Sequence, residues 1–226
     1  NSNIVTDIEI PQYQKIKRVA QKKKLNIKTI STHKGDLNII SQKYFEGKQL
    51  IEIKYKNKIY KFQTNLIGKI QIKNILMAML AAEKSGLKFK QIANVINKVR
   101  PVEGRLENVG NTKNKSKVIL DYAHTPDALK SSLQNLKEQF QDKKISIVFG
   151  CGGNRDKLKR SVMGKIANYY CDKIYLTDDN PRYESPKKIR LKIKKFINNK
   201  KLFENPSREK AISNAILNLN SGEILL

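Results

Sequence analysis

Ile145-Ser146-Ile147-Val148-Phe149-Gly150-Cys151-Gly152-Gly153-Asn154-Arg155-Asp156 is the stretch that decides the fold. Five residues with almost no polar break, stopped by glycines, read as a strand buried on both faces. Such strands belong to parallel sheets covered by helices. Outward from it, strands and helices alternate. Residues 118–121 read as a strand, and 126–140 as a helix with Thr125 as N-cap and Pro126 in its first turn. A helix over 160–170 leads to a strand over 173–177. Helices over 186–198 and 207–219 then precede an apolar end, Ile224-Leu225-Leu226. This rhythm predicts a doubly wound α/β domain.

The first hundred residues read differently. Tyr13, Ile16, Val19 and Ala20 line one side of a helix over 11–24 whose outer face is basic. A short strand near 27–30 is followed by alternating segments over 37–44, 50–55 and 59–64. The last two flank Lys56-Asn57-Lys58 and form a hairpin pattern. Gly68 precedes an apolar helix over 72–84, closed by Gly86. A further helix over 88–98 stops at Arg100-Pro101. Two domains are therefore expected, 1–102 and 103–226.

Composition excludes several classes. The chain has 226 residues and a formal net charge of +26, but only eight of its 46 basic residues are arginine. The lysines are scattered among Asn and Ile, a mixture that an AT-rich genome produces without selection for a partner. Nucleic-acid surfaces more often cluster their bases with arginines or aromatics, so a nucleic-acid partner is not expected. No apolar run approaches the ~20 residues of a membrane span. No signal pattern opens the chain, so the expected compartment is the cytoplasm, without membrane insertion. Two cysteines and two histidines make neither a disulfide framework nor a zinc site. The start at Asn1 and the strand-like end over 222–226 read as the ends of a fragment.

Three strand ends carry polar loops: Asp121-Tyr122-Ala123-His124-Thr125-Pro126, Gly150 to Asp156, and Thr177-Asp178-Asp179-Asn180-Pro181-Arg182. Ligands in open α/β sheets sit past the carboxyl ends of the strands, so all three should gather on one edge. In the third, proline fixes the backbone and the arginine fork can take a carboxylate through two parallel bonds. The aspartates can hold an ammonium, so a zwitterionic amino acid would fit; by spacing alone a solvated loop ahead of a helix start at Pro186 fits equally. The glycine loop is not a dinucleotide fingerprint, because Arg155 stands where the third glycine belongs. No Gly-Lys-Ser/Thr occurs either, since Gly68-Lys69-Ile70 and Gly164-Lys165-Ile166 both fail at the third position. Its glycines read as a tight turn, with Arg155 a cation aimed at the same edge. His124 has no nucleophile elbow to serve and reads as a ligand-contacting or loop-packing residue. Cys151 reads as a small loop residue and His33 as a surface one.

Taken together, Gly104-Arg105-Leu106-Glu107, the run from Asp121 to Leu129, the run from Gly150 to Asp156 with Lys157 and Arg160, and Asp178-Asp179-Asn180-Pro181-Arg182 resemble the Mur ligases of peptidoglycan synthesis. The resemblance is to their diaminopimelate-adding branch and covers essentially the whole chain. It implies the C-terminal part of a central P-loop-type ATPase domain followed by a Rossmann-like C-terminal domain. It also implies an ATP-dependent ligase that uses Mg2+ and joins meso-diaminopimelate to UDP-MurNAc-L-Ala-D-Glu through an acyl phosphate, working as a monomer. By the same resemblance, Asp179, Asn180, Pro181 and Arg182 select the amino acid and Arg155 contacts it. Arg105, Asp121 and His124 fall on the ATP side, and Asn74 lies near the adenine. Where the family usually has an aromatic followed by Asn, this chain has Ile70-Gln71. No catalytic residue or metal ligand is assigned. The P-loop, a modified lysine that helps hold magnesium, and the UDP-binding domain are expected before Asn1, and a Gly-Lys-Gly-His-Glu segment after Leu226. The chain alone is expected to be inactive. A lysine-adding ligase would lack the Arg182 motif. Folylpolyglutamate synthetases share the architecture but are not expected to carry these strings together. A basic nucleic-acid module is favoured only by the charge.

Overall fold

In the computed structural model, which describes residues 2–226, the apolar run becomes the strand at the heart of a six-stranded sheet. Two compact units divide between Arg100 and Pro101.

The first unit is a five-stranded sheet in the order β1 (Asn3–Asp7), β2 (Asn26–Ser31), β3 (Leu37–Phe45), β4 (Lys48–Tyr55), β5 (Lys58–Thr64). β1, β2 and β3 run parallel, while β4 and β5 complete an antiparallel meander. The β4–β5 turn has Lys56 and Asn57 at φ 46° and 60°, the mirror-image turn whose twist suits a two-residue hairpin. Helix α1 (Tyr13–Lys22) joins β1 to β2; α2 (Lys69–Lys84) and α3 (Phe89–Val95) follow the sheet. On α2, Ile72, Ile75, Leu76, Met79 and Leu80 recur at helical spacing and are buried against Ile30, Leu37, Ile51 and Ile53. Gly86, at φ 101°, ends that helix by a turn that L side chains rarely adopt.

The second unit has the order β10 (Leu202–Glu204), β9 (Lys173–Leu176), β8 (Ile145–Phe149), β11 (Ile224–Leu225), β7 (Lys117–Leu120), β6 (Glu107–Asn111). All neighbours are parallel except β6 and β7. Successive crossovers from β7 to β8, β9 and β10 run one way along the sheet, and the step to β11 returns. Right-handed connections then put α4 (Pro126–Gln139), α5 (Lys159–Tyr170) and α6 (Pro186–Lys194) on one face and α7 (Arg208–Leu217) on the other. In agreement, α4 packs on α5 and α5 on α6, whereas α7 lies against β8 and β9. Tyr175 and Val148 pack with Ala215 and Leu219 on the α7 side. Thr125, Ser185 and Ser207 each cap a helix by accepting a backbone N–H.

Three strands escape the sequence pattern. β6 is Asn- and Gly-rich, with an irregular register between Asn108 and Gly110, and lies at the sheet edge. β10 has three residues, too few for a period. β1, Asn3 to Asp7, lies parallel to β2 and has no hairpin partner in sequence. The helix expected over 186–198 stops at Lys194, and that over 88–98 becomes α3 and a single tighter turn over Ile96–Lys98.

Candidate functional site

β7, β8, β9 and β10 are parallel to one another or through β11, so their carboxyl ends lie on one edge of the second sheet. The loops after β8 and β9 are welded there. Gly153 N–H donates to Asn180 O at 2.8 Å, and Arg182 Nη1 donates back to Gly153 O at 2.7 Å. Tyr183 N–H reaches Asn154 Oδ1 at 3.0 Å, and Asn154 N–H reaches Glu184 Oε1 at 2.6 Å.

That approach explains the glycines and corrects the tight-turn expectation. Neither Gly150 nor Gly153 has positive φ. A Cβ on Gly150 would stand 2.4 Å from Thr177 O, and one on Gly153 would stand 1.8 Å from Pro181 O. The glycines are there because another backbone passes where a side chain would be.

Arg182 is exposed, with its backbone at φ 49°, and its own N–H donates to Asn180 Oδ1 at 3.2 Å. One guanidinium nitrogen is held by Gly153 O, and the other guanidinium donors bond to none of the described residues. Arg155 is exposed too and makes no hydrogen bond or ion pair among the described residues. Asp179 lies 3.9 Å from Arg208 Nη1 at the start of α7. Asp178, by contrast, is committed to the fold. Its Oδ1 pairs with Arg190, and Arg190 also donates to Glu204 at 2.8 Å. The candidates for the amino acid, Arg155, Asp179, Asn180, Pro181 and Arg182, thus lie in loops at one edge, and Asp178 is tied to Arg190.

The segment before β6 and the loop after β7 carry three of the four nucleotide-side candidates. Arg105 lies over the Tyr122 ring at 5.2 Å, and His124 meets the same ring edge-on at 5.0 Å. His124 Nδ1 lies 3.1 Å from Tyr122 O. Asp121 accepts from Leu106 N–H at 3.2 Å through one oxygen and from Ser132 Oγ through the other. Arg105, Asp121 and His124 therefore form one cluster, with Tyr122 as its exposed centre. Asn74 belongs to the first unit, exposed on α2.

Two features lay outside the sequence reading. Arg160, on α5 and 1% exposed, forms a fork-to-fork pair with Glu184, both bonds at 2.9 Å, and also donates to Gly152 O at 3.2 Å. That pairing, with the Asn154 amide, holds the Glu184 carboxyl down at about 2. Lys159, one residue earlier, donates to His124 O at 2.9 Å. Arg160 stood in a motif without a role, and Glu184 carried no pattern. The one available signal was the presence of arginine in so lysine-rich a chain.

Burial pushes the Cys151 thiol up to about 11, and its sulfur rests 3.7 Å from that of Met163. It is an inert packing residue rather than a nucleophile. No group of three or more His, Cys, Asp or Glu among the described residues could hold a metal ion. No helix among them is long and apolar enough to cross a membrane.

Residues 104–226 match the family described as Mur ligase, glutamate ligase domain, and residues 1–82 match the Mur ligase middle domain. The UDP-N-acetylmuramoyl-L-alanyl-D-glutamate--2,6-diaminopimelate ligase of Rickettsia felis is 42% identical over 203 residues, 89% of this chain and 38% of that protein. Its namesake in Rickettsia conorii is 40% identical over 227 residues, 100% of this chain and 46% of the relative. The chain thus spans less than half the length of these relatives. A solved structure of a ligase of the same name superposes with a TM-score of 0.72 at 26% identity, covering 99% of this chain and 47% of that one.

Proposed function

Since the chain belongs to the Mur ligase family, we propose that it is the nucleotide- and amino-acid-handling portion of an ATP-dependent ligase that adds meso-diaminopimelate to UDP-MurNAc-L-Ala-D-Glu. The whole enzyme would work in the cytoplasm as a monomer. In the reaction, a substrate carboxylate oxygen takes the γ-phosphoryl group of ATP and ADP leaves. The amine of the incoming amino acid then attacks the acyl carbon, expelling phosphate and losing a proton.

The observation that carries this reading is the fork of Arg182, held at one nitrogen by Gly153 O and open at the rest. Diaminopimelate has a second carboxylate that lysine lacks. A site that presents a guanidinium to it leaves that fork unpaired when lysine enters, and so disfavours lysine. Arg155 adds a second cation from the neighbouring loop, and Asp179 and Asn180 supply acceptors for ammonium groups. The names of the Rickettsia relatives agree with the substrate.

On the nucleotide side, Arg105, Asp121 and His124 suit a ribose and its charged neighbour. Arg105 supplies a cation, and Asp121 a carboxylate already fixed by two donors. Asn74 is the candidate for the adenine in the first unit. Magnesium, when bound, would offset the charge that builds up between the anionic reactants. Among the described residues no group of three or more His, Cys, Asp or Glu could hold it.

The test is phosphate release by the complete polypeptide that contains this chain. Release should require ATP, UDP-MurNAc-L-Ala-D-Glu and meso-diaminopimelate together and should fall sharply with L-lysine. Equal release with lysine, or release indifferent to the amino acid, would refute the assignment.

A further inference from the structure

The Arg160–Glu184 pair bonds to neither the Arg182 nor the Arg155 side chain, yet it bonds to both loops that carry them. Arg160 reaches Gly152 O in the loop after β8 and both oxygens of Glu184 in the loop after β9. Glu184 Oε1 returns to the first loop by accepting Asn154 N–H, one residue before Arg155. On the other side of Asn154 lies Gly153, whose carbonyl holds Arg182. A fork-to-fork pair fixes distance and angle at once, which a single-point ammonium does not.

We propose that Arg160 and Glu184 are positioning residues for amino-acid selection: the pair fixes the spacing between Arg155 and Arg182, and thereby the span between carboxylates that the site accepts. The proposal rests on the amino-acid reading of this edge. The acidity of Glu184, at about 2, keeps the pair ionised wherever the enzyme would work. Lysine cannot replace Arg160 without losing one of the two parallel bonds. Glutamine cannot replace Glu184 without turning one acceptor into a donor that faces the guanidinium.

The experiment uses the complete ligase and varies meso-diaminopimelate and ATP separately in wild type, Glu184→Gln, Arg160→Lys and Arg182→Ala. Displacing a contact by a fraction of an ångström costs on the order of tenfold or more in alignment-dependent steps. Glu184→Gln and Arg160→Lys should each raise the KM for diaminopimelate about tenfold and lower its preference over lysine, with the KM for ATP within about twofold of wild type. Combined with Arg182→Ala, Glu184→Gln should add little, because it acts through that arginine. The two variants guard each other, since Arg160→Lys keeps the buried positive charge should Glu184→Gln fail to fold. An unchanged diaminopimelate KM in a folded variant, while Arg182→Ala raises it, overturns this inference and leaves the site reading standing. Equal losses for ATP and the amino acid also overturn it, because they mark a pair that holds the fold only. If Arg182→Ala itself leaves the diaminopimelate KM unchanged, the site reading fails and takes this inference with it.

Discussion

Replacing Gly153 by alanine would put a methyl carbon 1.8 Å from Pro181 O and 2.6 Å from Pro181 C. Both obstacles are backbone, so neither can swing aside as a side chain would. The carbonyl contact is roughly 1.6 Å short of ordinary van der Waals distance. Either the strain stays, at about 1–3 kcal/mol for overpacking, or the two loops part. Parting them by that much breaks Gly153 N–H to Asn180 O and Arg182 to Gly153 O. One neutral and one charge-assisted bond are together worth about 3 kcal/mol. The two routes converge on a loss of roughly 3 kcal/mol, or about 10 °C in the thermal midpoint of a unit this size. The assay is a circular-dichroism melt of the chain, with Gly110→Ala as reference, since nothing lies within 4 Å of a Cβ there. If Gly153→Ala melts within about 2 °C of Gly110→Ala, the close approach of the two loops is wrong as described.

Two further outcomes follow from buried or paired groups. Burial raises Cys151 to about 11 and Cys171 to about 12, so both should resist a thiol-labelling reagent at pH 8 in the folded chain and react at once in denaturant; rapid native labelling of either would contradict their burial. In the first unit, Lys73 and Thr32 hold the Glu9 carboxyl down from 4.5 to about 2. A carboxyl lowered on folding stabilises the fold fully above its ordinary range, and that contribution fades as pH falls toward 2. Melts between pH 6 and pH 2 should therefore show a steeper acid loss in wild type than in Lys73→Met, and parallel curves would rule the pairing out.

Much of the second unit was legible because its signals are local. The run from Ile145 to Phe149, stopped by glycines, read as a doubly covered strand, and Thr125-Pro126 read as a helix start. The shared edge of the strand-end loops was legible because parallel strands must end together. What escaped depended on partners distant in sequence. β6 is held by pairing with β7 rather than by its own propensity, and β10 needs β9 beside it. The glycines looked like turn residues because nothing in Gly150-Cys151-Gly152-Gly153 reveals that Thr177 and Pro181 pass within contact of them. Glu184 is an unremarkable acid until Arg160 arrives from another element. One clue was present throughout. Six of the eight arginines, 105, 155, 160, 182, 190 and 208, belong to the second unit. Arg105 packs on Tyr122, and Arg160, Arg182, Arg190 and Arg208 each bond within the strand-end loops. In so lysine-rich a chain, arginine is concentrated where these loops are tied together.

The central claim, that Arg182 reads the second carboxylate of the incoming amino acid, is tested most directly by one ratio. That ratio is kcat/KM for meso-diaminopimelate over kcat/KM for L-lysine, measured in the complete ligase with and without Arg182→Ala. Losing a bidentate charge-assisted pair should collapse the ratio by about 100-fold, mostly through diaminopimelate, while the KM for ATP stays put. A ratio that survives the substitution, or an equal loss for diaminopimelate and ATP, would contradict the account.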